Sequence, residues 1–127
     1  MKKNAFITGS SSGIGLGLAG YFIEKNWQVW HLSRRLPTFH QAEEAISQNS
    51  RHLKLDLSDT NAIRNTLPQW LGRVDQLELV VLNAGILPPI SDMAGTPLEI
   101  CQDVMHVNLW ANKVLLDTLF KLGITIH

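Results

Sequence analysis

The stretch TGSSSGIG, residues 8 to 15, decides the fold of this chain. It follows a short apolar segment, residues 5–8, that is typical of a β-strand, and it precedes apolar residues at helical spacing. Glycines at a strand-to-helix turn let backbone N–H groups point at an anion that is held on the helix N-terminus. A flexible turn without a ligand is the other interpretation, because a lone glycine cluster is weak evidence. The rest of the chain has to decide between them.

The composition indicates one globular domain. The chain has 127 residues, of which 45% are hydrophobic, and this is enough to form a core without disulfides or metal. Eleven basic and eleven acidic residues give a net charge of zero, so we expect no nucleic acid partner. Cys101 is the single cysteine, and a lone thiol favours the cytoplasm. The apolar runs are too short for a membrane span, and the five scattered histidines predict no metal site.

Short apolar segments alternate with stretches of helical spacing along the whole chain. We expect five strands, at residues 5–8, 28–33, 52–57, 77–83 and 124–127. Strands that alternate with helices form parallel βαβ units, so the predicted fold class is α/β with a doubly wound parallel sheet. The chain stops inside the fifth strand. We therefore expect residues 1–127 to form a single domain that is truncated after that strand, with a loop at Pro88-Pro89.

The first helix is expected to dock on the sheet by one face. That face consists of Ile14, Leu18, Ala19, Phe22 and Ile23, with Gly17, Gly20 and Glu24 opposite. Asn26 is predicted to end the helix in the left-handed conformation. Farther along, Pro68 is expected to end or kink the third helix.

Four landmarks together resemble the short-chain dehydrogenase/reductase family. They are the turn Thr8-Gly-x-x-x-Gly13-Ile-Gly15, Asp56-Leu57, Asn83-Ala84-Gly85 and Asn108, in that order and at similar spacing. The resemblance implies a Rossmann-type domain that binds a nicotinamide dinucleotide. It also implies an oxidoreductase that transfers hydride between this cofactor and a small carbonyl or alcohol substrate.

The resemblance assigns a role to each position. In the turn, Gly9 permits the tight bend, Gly13 lets the backbone approach the pyrophosphate, and Gly15 lets the helix pack on the strand. The other cofactor contacts are expected from Ser11, Ser12 and Ile14 at the phosphates, Asp56 and Leu57 at the adenine, and Asn83, Ala84 and Gly85 at the nicotinamide.

Asn108 matches the position that holds water in a proton relay, and it is the one catalytic candidate. Two simpler interpretations stay open. Asp56 could only cap the helix that begins near Ser58, and Asn83 could only satisfy backbone groups of the sheet.

The residues after the second strand predict which cofactor is bound. An Asp or Glu at this position accepts hydrogen bonds from the ribose 2′-OH of NAD. Here Ser33 stands at that position and is followed by Arg34 and Arg35. Serine leaves room for a 2′-phosphate, and a guanidinium binds it through charge-assisted hydrogen bonds, so the sequence predicts NADP. For Arg35, a simple surface charge is an equal alternative.

Tyr21 and Lys25 have the Tyr-x-x-x-Lys spacing of the catalytic pair in the resembled family. In that family the pair lies on a helix after the fifth strand, with a catalytic Ser just beyond that strand. Tyr21 is the only tyrosine of the chain, and a helical rise of about 1.5 Å per residue puts it on the order of 10 Å from the pyrophosphate. We therefore expect the pair to be a coincidence of spacing and this chain alone to be catalytically incompetent. A non-catalytic nucleotide-binding module is the alternative.

The last predicted helix has apolar residues on two sides. Val107, Val114, Leu115, Leu119 and Leu122 form one face, and Leu109, Leu116 and Phe120 form the other. The second face predicts a homo-oligomer, in which the chain acts as a self-associating module. Contact with a missing second half of the same protein is the alternative.

Overall fold

The computed structural model describes residues 2–85 and 95–126. The predicted loop at Pro88-Pro89 and His127 lie outside the described residues. The strands are β1 (Asn4–Thr8), β2 (Gln28–Ser33), β3 (Ser50–Lys54), β4 (Gln76–Leu77), β5 (Leu79–Leu82) and β6 (Thr125–Ile126). The helices are α1 (Gly13–Glu24), α2 (Glu43–Asn49), α3 (Thr60–Trp70), α4 (Leu98–Met105) and α5 (Ala111–Lys121), with a π-helical segment, His106–Trp110, between the last two.

The main sheet is parallel and has the strand order β3-β2-β1-β5. The chain leaves β1 toward β2 and β3 and then crosses back to β5, so the direction of winding reverses between β1 and β5. In such sheets the ligand lies beyond the carboxyl ends of the strands at this reversal. The predicted doubly wound α/β fold is confirmed.

The fourth predicted strand is divided into two. Glu78 separates β4 from β5, and β4 pairs in parallel with β6 while β5 pairs with β1. The Glu78 backbone N–H still donates to the Asn4 carbonyl at 2.9 Å, which keeps the two pieces aligned beside β1. The prediction of a single strand at 77–83 was therefore only partly right. The first part of this apolar run pairs with β6 and the second part pairs with β1.

Helices cover both faces of the main sheet. Phe6 of β1 points to the side of α3 and α5, where it packs in a core with Ile63, Leu67 and Leu115. Ile7 points to the opposite side and packs with Ala19 and Ile23 of α1. Alternate residues of one buried strand thus enter two separate cores, as the period of two in a strand requires.

The buried face of α1 differs from the prediction. Gly15, Ala19, Gly20 and Ile23 are buried, whereas Ile14 is 73% exposed. The helix is rotated toward its glycines because the backbone at Gly15 packs directly on the Gly9 carbonyl. The helix end was predicted correctly, since Asn26 has a φ of 66°.

Two other element boundaries shift from their predicted positions. The third strand spans 50–54 instead of 52–57, although Leu55 N–H still donates to the Ser33 carbonyl at 3.1 Å and extends the pairing. The third helix continues past Pro68 to Trp70, so this proline does not end it at once.

On the final helical stretch the first predicted apolar side packs in the core except at Leu122, which is exposed. Val114, Leu115 and Leu119 are buried, whereas Leu109 is 47% exposed and Phe120 is 62% exposed. Within the described ranges, none of the helices combines the length and the hydropathy that crossing a membrane requires.

Candidate functional site

A cavity of about 380 Å³ opens at the carboxyl ends of β1, β2 and β5. Ten of the residues predicted as cofactor contacts line it: Gly9, Ser11, Ser12, Ser33, Arg34, Asp56, Leu57, Asn83, Ala84 and Gly85. The predicted residues Gly13, Ile14, Gly15 and Asn108 are not in its lining. The ten predicted residues in the lining, which are up to 76 positions apart in sequence (from Gly9 to Gly85), thus meet at one edge of the sheet.

The turn between β1 and α1 is built from glycines for steric reasons. Gly9 has a φ of 70°, and a Cβ there would lie 2.9 Å from the Ala84 Cα. A Cβ on Gly15 would lie 2.1 Å from the Gly9 carbonyl oxygen, so no other residue fits without moving the helix. The predicted purpose of Gly15, close packing of helix on strand, agrees with this contact.

Thr8 links the turn to the end of β5. Its hydroxyl oxygen accepts hydrogen bonds from the backbone N–H groups of Asn83 and Ala84, both at 3.0 Å. The Asn83 amide nitrogen in turn donates to the Gly9 carbonyl at 3.5 Å. Asn83 therefore satisfies backbone of the turn, and its backbone also forms a wall of the cavity.

The start of α1 faces the cavity through Ser11 and Ser12. Ser12 is the N-cap residue of this 12-residue helix, yet its side chain makes no capping hydrogen bond. The first N–H groups of a helix have no partner within it, and the dipole makes this end favourable for an anion. The geometry fits a phosphate better than a neutral group.

The end of β2 forms the opposite wall. Ser33 is buried, and its hydroxyl donates to the Arg35 carbonyl and lies 2.8 Å from His52 Nε2. Arg34 and Arg35 are exposed and line the cavity. Two guanidinium groups therefore line the cavity here, and the strand position before them carries a serine instead of a carboxylate.

Asp56 is ionised at neutral pH. Hydrogen bonds from the Ser58 backbone N–H, at 2.9 Å, and from the Ser58 hydroxyl, at 2.8 Å, lower the pKa of its carboxyl below the ordinary value. The N-cap of α3 is Asp59, whose side chain accepts from Ala62 N–H. The idea that Asp56 caps this helix is therefore wrong.

Asn108 lies beside the cavity in the π-helical segment. A Cβ added to Gly85 would lie 3.0 Å from Asn108 Oδ1, so the amide packs on the backbone that ends β5. π-helical turns are rare and concentrate at functional sites. This turn was not predictable, because nothing in the residue pattern of 106–110 distinguishes it from an α-helix.

Tyr21 lies on α1 and Lys25 is the C-cap residue of this helix, and both are outside the cavity lining. Tyr21 is 51% exposed, its ring meets Phe22 edge-on, and Lys25 Nζ lies 5.5 Å from the ring centroid. These contacts are ordinary for positions i and i+4 of a surface helix.

Several residues of the site were missed by the sequence reasoning. Leu32, Leu55, Ser58, Asp103 and Val107 also line the cavity. Behind it, Ser10 and His31 are fully buried and lie 2.8 Å apart through Oγ and Nδ1. A polar His31 in the middle of an apolar strand, two residues before Ser33, was the available signal.

The comparison with known proteins agrees with this arrangement. A model of the short chain dehydrogenase family matches residues 3–122. The chain belongs to the short-chain dehydrogenase family. The confirmed resemblance explains why four separate landmarks of the sequence meet at one edge of the sheet.

Three similar proteins illustrate the range within this family. The 1-deoxy-11-beta-hydroxypentalenate dehydrogenase of Streptomyces arenae is 31% identical over 89% of this chain and 42% of its own length. The fatty acyl-CoA reductase of Acinetobacter baylyi is 35% identical over 65% of this chain and 29% of its own. A 4-hydroxyisoleucine dehydrogenase solved with NADH is 27% identical, with a TM-score of 0.77 over 94% of this chain and 49% of the other. The chain spans less than half the length of these short-chain dehydrogenases.

Proposed function

We propose that this chain is the NADP(H)-binding part of a short-chain oxidoreductase. The parent enzyme transfers hydride between the nicotinamide ring and a small carbonyl or alcohol substrate, in the cytoplasm that lone Cys101 favours. The observation that carries the proposal is the cavity of about 380 Å³ at the reversal of the sheet, with ten predicted contact residues in its lining. Its volume is typical of small-molecule sites.

The residues of the cavity divide into three groups along the proposed cofactor. Ser11, Ser12 and the first N–H groups of α1 hold the pyrophosphate, because this helix end favours an anion. Asp56 and the Leu57 backbone hold the adenine. Asn83, Ala84 and Gly85 hold the nicotinamide end, where Asn108 positions a water molecule for proton relay.

The choice of NADP over NAD rests on the end of β2. Ser33 supplies a hydroxyl where a carboxylate would repel a 2′-phosphate, and Arg34 supplies a cation at the cavity wall. The similar 4-hydroxyisoleucine dehydrogenase was solved with NADH, whereas a metagenomic short-chain oxidoreductase of the same fold was solved with NADP, so this fold accommodates either cofactor. A charged hydrogen bond of about 1.5 to 3 kcal/mol corresponds to a preference for NADPH of roughly 10- to 100-fold.

A titration of NADPH and of NADH into the purified chain at one ionic strength tests this choice. We expect Arg34→Ala to remove most of the NADPH preference and to leave NADH binding nearly unchanged. Arg73→Ala is the matched control, since it removes the same charge from an exposed position outside the cavity lining. Equal affinities of the wild-type chain for both cofactors would contradict the proposal.

We also propose that residues 1–127 by themselves have no reductase turnover. The only tyrosine, Tyr21, lies outside the cavity lining, so the cavity has no phenolic general acid. General acid catalysis supplies roughly 10²- to 10⁴-fold of rate. NADPH oxidation that depends on a carbonyl substrate and persists in Tyr21→Phe at the wild-type rate in repeated purifications would contradict this.

A second candidate function is self-association, supported by the exposed Leu109 and Phe120 on the last helical stretch. Exposed apolar side chains on a helix whose other face is buried favour a partner. A second copy of this chain is the partner that we propose, as a homo-oligomer.

A further inference from the structure

Five polar side chains form a continuous chain behind the cavity. We call it the polar chain; in order of contact it consists of Ser50, His31, Ser10, Ser33 and His52. It lies on the side of the sheet that faces α1, next to Phe39, whose ring meets His31 edge-on at 5.5 Å. One member, Ser33, also lines the cavity, so the polar chain is connected to the proposed 2′-phosphate position.

The hydrogen bonds of Ser33 fix the state of His52. A serine hydroxyl has one proton, and Ser33 donates it to the Arg35 carbonyl, which can only accept. His52 Nε2, 2.8 Å from the same hydroxyl oxygen, must therefore be the donor. His52 thus carries its proton on Nε2 and directs it at Ser33.

This arrangement holds the turn that carries Arg34. The hydrogen bond that the Ser33 hydroxyl donates to the Arg35 carbonyl links the two residues on either side of Arg34. The donor from His52 is the shorter of the two hydrogen bonds that the hydroxyl oxygen accepts, at 2.8 Å against 3.5 Å from Ser10, and it restrains the rotation of the hydroxyl. The Arg34 side chain takes no part in these hydrogen bonds. The direction in which it points therefore depends on the backbone conformation of Ser33 and Arg35 on either side.

We propose that His52 is a positioning residue for cofactor selectivity. It acts through Ser33, by keeping the turn 33–35 in the conformation in which Arg34 meets the 2′-phosphate. The inference rests on the proposed binding of NADP(H). It adds a residue of β3 that lies outside the cavity lining.

The other end of the polar chain supports the same role. Ser10 belongs to the glycine turn, and its hydroxyl lies 2.8 Å from His31 Nδ1 and 3.5 Å from Ser33 Oγ. Gly9 N–H donates to the Leu32 carbonyl at 2.9 Å. The turn that faces the phosphates and the turn that faces the ribose are therefore held in register from behind.

The test compares His52→Phe and His52→Gln with the wild-type chain. Phenylalanine keeps a ring at the position of the imidazole, whose centroid lies 5.1 Å from that of His31, but removes the donor, whereas glutamine keeps an N–H donor. We expect His52→Phe to lower the ratio of NADPH to NADH affinity by about 5- to 10-fold, by weakening the binding of NADPH and leaving the binding of NADH unchanged. We expect His52→Gln to stay within about twofold of the wild-type ratio. His40→Phe, at an exposed position, is the control for the loss of an imidazole.

A double-mutant cycle shows whether His52 acts through Ser33. In a Ser33→Ala background the second change, His52→Phe, is expected to have no further effect on the ratio, because the hydroxyl that it orients is gone. Additive effects of the two changes would overturn the inference.

The outcomes separate this inference from the function on which it rests. If the wild-type chain binds neither cofactor, or both equally, the proposed function fails and the role of His52 with it. If the wild-type chain prefers NADPH but the His52→Phe variant keeps that preference, or loses affinity for both cofactors equally, only the role of His52 is overturned. Equal losses in His52→Phe and His52→Gln would also overturn it, since the donor would then not matter.

Discussion

Gly15 determines how closely α1 approaches the sheet, and its substitution gives a prediction with an internal control. A Cβ at Gly15 would lie 2.1 Å from the backbone oxygen of Gly9, so Gly15→Ala has to displace the helix and should cost more than about 2 kcal/mol. At Gly17 of the same helix nothing lies within 4 Å, so Gly17→Ala should stabilise the fold by about 0.5 to 1 kcal/mol. Urea denaturation measures both changes. Equal effects of the two substitutions would contradict the steric explanation.

His31 makes the stability of the fold sensitive to acid. Burial and, to a smaller degree, neighbouring His52 lower the pKa of His31 from 6.5 to about 3. Below pH 6.5 the unfolded chain takes up a proton on this imidazole that the folded chain does not. The free energy of unfolding therefore decreases as the pH is lowered from about 6.5 to about 3. The expected slope is up to about 1.4 kcal/mol per pH unit.

Urea unfolding at several pH values between 4 and 7 measures this slope. His31→Gln should flatten it, whatever that variant's stability at pH 7, whereas Ser10→Ala removes a hydrogen bond but keeps the imidazole and should retain the slope. Burial also lowers the pKa of His52, which adds to the loss in the same direction. An unchanged slope in His31→Gln would show that another group is responsible.

The residues of the site could be predicted from the sequence only where they belong to a recognisable motif. Gly9, Ser11 and Asp56 were found because their spacing follows the family pattern, and all three line the cavity. Thr8 and Ser10 belong to the same quoted stretch, but their hydrogen bonds reach residues 83 and 31, and no local pattern reports such distant partners. Ile14 was expected at the phosphates, yet it is exposed and outside the lining, because α1 is oriented by its glycines.

The type and order of the helices and strands could be predicted from the sequence, but their boundaries were less predictable. Periodicity identified every strand of the main sheet, because a buried strand needs only a short apolar run. It could not show that Glu78 divides one run into β4 and β5, since this depends on which strand lies alongside. It could not show the π-helical turn 106–110 either, which changes the backbone hydrogen bonds without changing the residue pattern.

The N-caps of α1 and α3 perform different tasks, which gives a second matched prediction. Asp59 accepts a hydrogen bond from Ala62 N–H at 3.0 Å, so Asp59→Ala should destabilise the fold by about 1 kcal/mol. Ser12 makes no such bond, so Ser12→Ala should cost less than about 0.5 kcal/mol. Under the proposed function Ser12→Ala instead weakens NADPH binding. Urea denaturation and a cofactor titration on the same two variants separate the two tasks, and a large loss of stability in Ser12→Ala would refute the distinction.

The two sides of the sheet differ in which aromatic side chains they leave exposed. On the side of α1 the exposed aromatic residue is Tyr21, which rests against Phe22 and Lys25. On the side of α5, Leu109, Trp110 and Phe120 are exposed at 47%, 53% and 62%. Apolar side chains such as Ile14 and Leu36 are exposed elsewhere, but Leu109, Trp110 and Phe120 lie along one helical stretch, which is the surface that we assign to self-association.

Phe120→Glu tests this assignment. A charge in the centre of an apolar contact has to be desolvated without a partner, so we expect the variant to be monomeric at protein concentrations where the wild-type chain forms dimers or larger species. Tyr21→Glu is the matched control, because it introduces the same carboxylate at an exposed aromatic position on the opposite side of the sheet. Light scattering between about 1 and 100 µM, which brackets the range of transient interfaces, measures the mass of all three. A monomeric wild-type chain over this range would refute self-association, and dimers that persist in Phe120→Glu but not in Tyr21→Glu would move the contact surface to α1.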